Sequence, residues 1–252
     1  MAHYGIASVI SITDDDLIEK MAAFYSAKFS IPYFEITQKA EDFRAKRITR
    51  NLNLVDTIAK EKWTCFKTEL GESRLAIQNY MTMLPNDSEV KRGFQNALDS
   101  GIGNQARCKK YLEETLISGA IDVNVMTKVD KENFIKNEML PVEFNDAHEA
   151  LRGFANSNLT GGVVLSAGMN PRLYGYFEQF KDFFPNAENV LRKKIILKVS
   201  DYRSAMIQGN FLAKKGLWVS EYLIESGLNC GGHVFATDGF LFGPILEEFK
   251  QK

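Results

Sequence analysis

IDVNVM at 121–126, GVVLS at 162–166, KIILKV at 194–199 and VSEYLIE at 219–225 are four short apolar runs whose reading decides the fold. Each is rich in β-branched residues and too short for a helix that buries a face, so each is predicted to be a strand. Between them the periodicity is helical, at 146–156, 171–184 and 202–215, with a last helix at 244–250. A strand reaches a parallel neighbour only through a crossover, so repeated strand–helix alternation predicts a parallel sheet. The segment 121–252 is therefore expected to be α/β, its strands either closing into a barrel or spreading into a doubly wound sheet.

Working outward, YGIASVISI at 4–12 is a further apolar, β-branched run that stops at Asp14, Asp15 and Asp16. Those carboxylates suit a helix start, because they can accept the free amide protons of a first turn and sit at the positive end of the helix dipole. Ile18, Met21, Ala22 and Tyr25 then share one helical face. From 39 to 116 the pattern is charged and helical, with Ile58, Phe66, Leu70, Ile77, Met81 and Leu84 on one stripe and Trp63 beside it. Breaks are predicted at Pro85-Asn86-Asp87, with Ser88 capping the next helix, and at Gly101 and Gly103. The expected organisation is a first strand in 1–13, a large helical insertion over 14–120, and the β/α segment 121–252.

Composition excludes several classes. In a chain of 252 residues, 45% hydrophobic, a substantial core can form, and 31 basic against 32 acidic residues leave no positive field of the kind nucleic acid requires. No apolar run approaches the roughly 20 residues of a membrane span, and the N-terminus lacks the layout of a secretion signal, so a cytoplasmic protein with no membrane partner is expected. Cys65, Cys108 and Cys230 are odd in number and far apart, and are read as reduced thiols. No His/Cys/Asp/Glu grouping has ligand spacing, so no metal is expected. A phosphate loop with a following Lys and Ser/Thr does not occur, and Gly161-Gly162 reads as a turn into a strand.

In β/α folds ligands sit beyond the carboxyl ends of the strands. Asn124, Thr127 and Lys128 end the first of the four runs; Ser166, Ala167, Gly168, Met169 and Asn170 the second; Lys198 and Ser200 the third. The fourth enters Glu225-Ser-Gly-Leu-Asn-Cys-Gly-Gly-His233, the densest polar and glycine-rich turn in the chain. Gly231 and Gly232 let backbone amides approach a ligand, and His233 stands where it can donate a hydrogen bond or move a proton near neutral pH. Asn124 interrupts an apolar strand and must find partners, in the backbone or in a ligand. Lys198 either snorkels to solvent or holds an anion. Cys230 reads as a small filler. Tyr174, Tyr176, Phe177, Phe180, Phe183 and Phe184 read as the core face of one helix, and His3 and His148 as surface residues.

Taken in order, IDVNVM, VVLSAGMNP, KKIILKVSDYRSA and ESGLNCGGH resemble the strand-end motifs of the nitronate monooxygenase and flavin-dependent enoyl reductase family, over about half the chain. The resemblance implies a partial (β/α)8 TIM-barrel-like parallel sheet and FMN as cofactor. It places Asn124 and Lys198 against the flavin, Gly231 and Gly232 in the turn beside it, and His233 over the reactive ring or substrate as the catalytic residue; Ser166, Gly168 and Glu225 complete the expected cofactor-binding set. Asn229 and Cys230 depart from the pattern, and a lysine at 198 is more like the glutamate synthase branch of FMN barrels. By that alignment the chain holds strands two to six of eight, so that either more chain or a homo-oligomer supplies the remainder or the five strands form an open sheet. The implied activity is an FMN-dependent oxidoreductase acting on a small activated substrate. The other readings are a catalytically inactive barrel fragment serving as an interaction module, and a flavin-free enzyme using Lys198 as a Schiff base.

Overall fold

Asp14 accepts the amide of Leu17 at 2.8 Å and so starts a helix directly after the first strand, as a short carboxylate at that position should. In chain order the elements are β1 (Ser8–Ser11), α1 (Asp15–Lys28), α2 (Phe43–Glu72), α3 (Arg74–Met83), α4 (Glu89–Asp99), β2 (Ile121–Val125), a hairpin of β3 (Phe134–Ile135) and β4 (Glu138–Met139), α5 (Asp146–Ala155), β5 (Gly162–Leu165), α6 (Pro171–Tyr176), β6 (Lys194–Val199), α7 (Tyr202–Ala213), β7 (Val219–Ile224) and α8 (Phe242–Gln251). This computed structural model describes residues 1–12, 14–99, 110–111, 114–125, 130–166, 168–225 and 242–252. Among them no helix is long and apolar enough to cross a membrane.

The fold is α/β, with a five-stranded parallel sheet in the order β1-β2-β5-β6-β7. The four runs read as strands are strands, each within one residue of its expected bounds. Register fixes the faces. Asn124 pairs with Val164, Val164 with Ile196, Val125 with Leu165 and Leu165 with Leu197. Val123, Val125, Val163, Leu165, Ile195, Leu197 and Val199 are all buried in one core with residues of α1, α2, α5, α6 and α7. Because side chains alternate, Asp122, Asn124, Gly162, Val164, Ile196 and Lys198 point to the opposite face. There Asp122 Oδ1 accepts the Gly162 amide at 2.6 Å, and a Cβ on Gly162 would lie 2.4 Å from Ile196 Cδ1. Gly161-Gly162 is thus a close-packed strand entry, in keeping with its reading as a turn into a strand.

Two expectations need revision. The helix predicted over 171–184 stops at Tyr176 and continues as two 3-10 turns, Phe177–Gln179 and Lys181–Phe183. The tighter turns bring Phe177 and Phe183 edge to face, 4.7 Å apart, which a straight helix would not do. The hairpin at 134–139 carried no strand reading; its turn residues, Lys136 at φ 49° and Asn137 at φ 68°, are left-handed, and an Asn in a two-residue turn is the signal that could have found it. The aromatic run from Tyr174 to Phe184 does pack in or against the core.

Two compact units divide the chain: Met1–Ser8 with Val55–Ala120, and Val9–Leu54 with Ile121–Lys252. In the first, Phe66, Leu70, Ile77, Tyr80, Met81 and Phe94 form a separate core, with Leu84 and Trp63 packed against it. Ser73 caps α3 through the Ala76 amide at 3.2 Å, which breaks a periodicity that reads as continuous in the sequence. In the second unit Lys193 is wholly buried. Its ammonium donates to the carbonyls of Phe154 and Ser157 at the end of α5, the latter at 2.8 Å, and stands over the Phe154 ring. Burial pushes this lysine down to about 8, and the contacts make it a helix-end cap.

Candidate functional site

Four of the expected site residues stand at the carboxyl edge of the sheet. Lys198 ends the inner row of β6 and pairs with Glu225, just past β7, at 2.9 Å; both side chains are about a quarter exposed. Asn124 donates from Nδ2 to Ser11 Oγ at 3.4 Å, while its Oδ1 is enclosed with no donor in reach among the described residues. Ser166 follows β5 directly. From the register, Asn124 and Lys198 lie two strands and one side-chain step apart on one face, roughly 12 Å between backbones. The sheet brings Lys198 and Glu225 into contact and sets Asn124 across from them beside Ser11.

Gly168 has φ 123°, a conformation that favours glycine, and it leads into Asn170, whose side chain accepts the Leu173 amide at 3.1 Å with Pro171 at the first helical position. The Gly-x-Asn-Pro part of the motif is therefore accounted for by capping α6. His233, Gly231 and Gly232 lie outside the described residues, as do Thr127, Lys128, Ala167, Cys108, Cys230, Gly101 and Gly103.

A second constellation escaped the sequence reading. His148 is 1% exposed, not on the surface as expected, because seven other residues of α5 are buried with it. Its Nδ1 lies 2.9 Å from Asp130 Oδ2, off the line of a well-formed hydrogen bond. Next to it Glu149 is buried with Arg44 Nε at 3.8 Å and Arg152 Nη2 at 3.9 Å. Arg44 binds Asp146, and Arg152 binds Asp42 and Tyr176. Asp42, Arg44, Asn133, Phe134, Asp146 and Glu149 help wall a cavity of about 940 Å³ between the connection from α1 to α2 and the segment that leads from β2 into α5. The only sequence signal was DAHEALRGFA, charged residues set among Ala, Gly and Leu, which marks a helix buried on more than one side. Their partners lie up to 110 residues away and cannot be paired from sequence.

Burial pushes Glu149 up to about 7, with Arg44 and Arg152 offsetting only part of that cost. A carboxyl raised above its ordinary 4.5 favours the fold while it is protonated, and that contribution disappears as pH rises through 7. Between these limits the fold is expected to lose on the order of 2 kcal/mol from this group, allowing for solvent screening. Glu149→Gln keeps the shape without the charge and is expected to flatten that slope. Urea unfolding at about pH 5 and about pH 8 checks it; an unchanged slope in the variant would place the titration elsewhere.

No family model, curated protein or solved structure matches this chain.

Proposed function

We propose that the sheet is five consecutive strands of a (β/α)8-type barrel wall, and that its polar face at the carboxyl edge holds FMN in an oxidoreductase of the nitronate monooxygenase or enoyl reductase type. The observation that carries this reading is the strand order. A doubly wound sheet reverses its order at a switch point, whereas these parallel strands follow one another without reversal, as the wall of a barrel requires. The face turned from the helices also carries Asn124, Lys198 and Glu225, polar where a β/α enzyme places its chemistry.

The described residues suit one part of such a cofactor. An isoalloxazine ring offers an imide N–H between two carbonyls, and Asn124 Oδ1 is an enclosed acceptor without a donor among the described residues. Lys198 would set positive charge beside a ring carbonyl, and Glu225 would hold that ammonium in place. By the resemblance, Gly231 and Gly232 would shape the turn beside the ring and His233 would position substrate or move a proton. When bound, the flavin supplies the electron and hydride transfer; the protein supplies placement, charge and exclusion of water. The substrate class is a small activated acceptor.

Titration of the purified chain with FMN, followed by flavin fluorescence, tests this. Saturable uptake is expected, with Asn124→Leu and Lys198→Met each weakening it about tenfold, equivalent to roughly 1.4 kcal/mol. A colourless protein that takes up no FMN would overturn the oxidoreductase reading and leave the interaction module.

A further inference from the structure

The first turns of α5 and α6 face one another across a cleft of about 360 Å³, separate from the polar face of the sheet, and its wall includes Glu143, His148, Arg172, Tyr176 and Gln179. From this convergence we infer that the cleft binds a small oxyanion group, a phosphate or a carboxylate, between His148, Arg172 and Tyr176. Three features carry the inference. First, His148 is almost completely buried yet lines the cleft, and Asp130, which faces its Nδ1, is not part of the wall. The ring therefore turns its other edge, with Nε2, to the cavity. Asp130 is itself fixed, accepting the Ala147 amide at 3.0 Å, so the imidazole is held from behind by an anion.

Second, Arg172 is exposed and, like the exposed Arg203, makes no ion pair or hydrogen bond among the described residues, whereas Arg44, Arg47, Arg50, Arg152 and Arg192 are paired. A free guanidinium beside a recessed imidazole presents a planar fork of donors suited to two oxygens of one group. Third, Tyr176 Oη accepts from Arg152 Nη1 at 2.8 Å, and Arg152 is clamped by Asp42, so the phenol has its acceptor side occupied and its own proton left to donate. Arg172 and Tyr176 converge as donors, Nε2 of His148 joins them when both ring nitrogens carry protons, and no described hydrogen bond consumes them. Glu143 is the one carboxylate of the wall and opposes an anion, which gives the inference a second, opposite-signed handle.

The chain has three histidines, so the His148 ring signals can be assigned by their loss in His148→Gln, or by elimination with His3→Gln and His233→Gln if that variant does not fold. The expected result is a saturable shift of those signals on adding inorganic phosphate or acetate at constant ionic strength, at about 1 mM or tighter. Arg172→Gln, an exposed position, should weaken binding about tenfold, and Glu143→Gln should tighten it about threefold. A response to phosphate alone identifies a phosphate group, and a response to acetate alone a carboxylate. No saturable shift with either probe, or equal shifts in the wild type and Arg172→Gln, would overturn the inference.

Discussion

Replacing Arg47 by Met is expected to lower the unfolding free energy by about 3 kcal/mol, the low end of the range for removing one partner of a buried ion pair, because Asp16 is half exposed. Arg47 is 3% exposed and holds Asp15 at 2.7 Å, Asp16 at 2.6 Å and the Ile36 carbonyl at 2.8 Å, with Glu19 at 3.5 Å. One guanidinium thus ties the first turn of α1 to α2 and to the loop between them. Burial works against its charge, but the bonds to Asp16 and Asp15 outweigh burial and hold it fully charged. Methionine would fill much of the space and leave the acidic cluster with Arg50 on Glu19 as its remaining arginine contact.

The pH dependence gives the check its sign. The Arg47 hydrogen bond, with that of Gln38, holds Asp16 below its ordinary value, so its contribution is present above about pH 4 and is lost as pH falls. The deficit of Arg47→Met should therefore be largest at about pH 7 and shrink below about pH 4, read as urea midpoints. A deficit independent of pH would mean that packing, not charge, is what Arg47 contributes.

Why the four strands were legible and the charged network was not is a matter of range. GVVLS and KIILKV state their burial in their own composition, and the helices between them announce their ends through Asn170-Pro171 and Asp201, which caps α7 by accepting the Ser204 amide at 2.7 Å. Such signals are local, within four residues. Glu149 meeting Arg44, or Asp130 meeting His148, depends on how α5 packs, and no spacing in the sequence encodes it. The pairing of Lys198 with Glu225 lay between these cases: both were marked as strand ends, and the parallel register of β6 and β7 supplied the rest. The same limit explains the hairpin at 134–139, where two-residue strands are too short to show alternation.

Gly161→Ala is expected to cost about 3 kcal/mol or more, well above the usual effect of adding a methyl group. The added Cβ would stand 2.0 Å from the Ile121 carbonyl oxygen and 2.7 Å from its carbon, both backbone atoms at the start of β2. A flexible side chain could swing aside; a strand paired through Val123, Asn124 and Val125 to β5 cannot yield without opening that ladder. Gly162 is next in line, already bonded to Asp122, so the displacement would also disturb the Ile196 row behind it. Gly175→Ala provides the contrast, since its Cβ would meet only Lys215 Nζ at 3.8 Å and lies in α6, where alanine favours the helix by up to about 1 kcal/mol. Thermal unfolding of the two variants side by side separates the cases: a marked fall for Gly161→Ala with no loss for Gly175→Ala is the expected pair. If Gly161→Ala unfolded like the wild type, β2 and the entry to β5 would not approach so closely, and the placement of Asn124 relative to Lys198 across the sheet would fall with it.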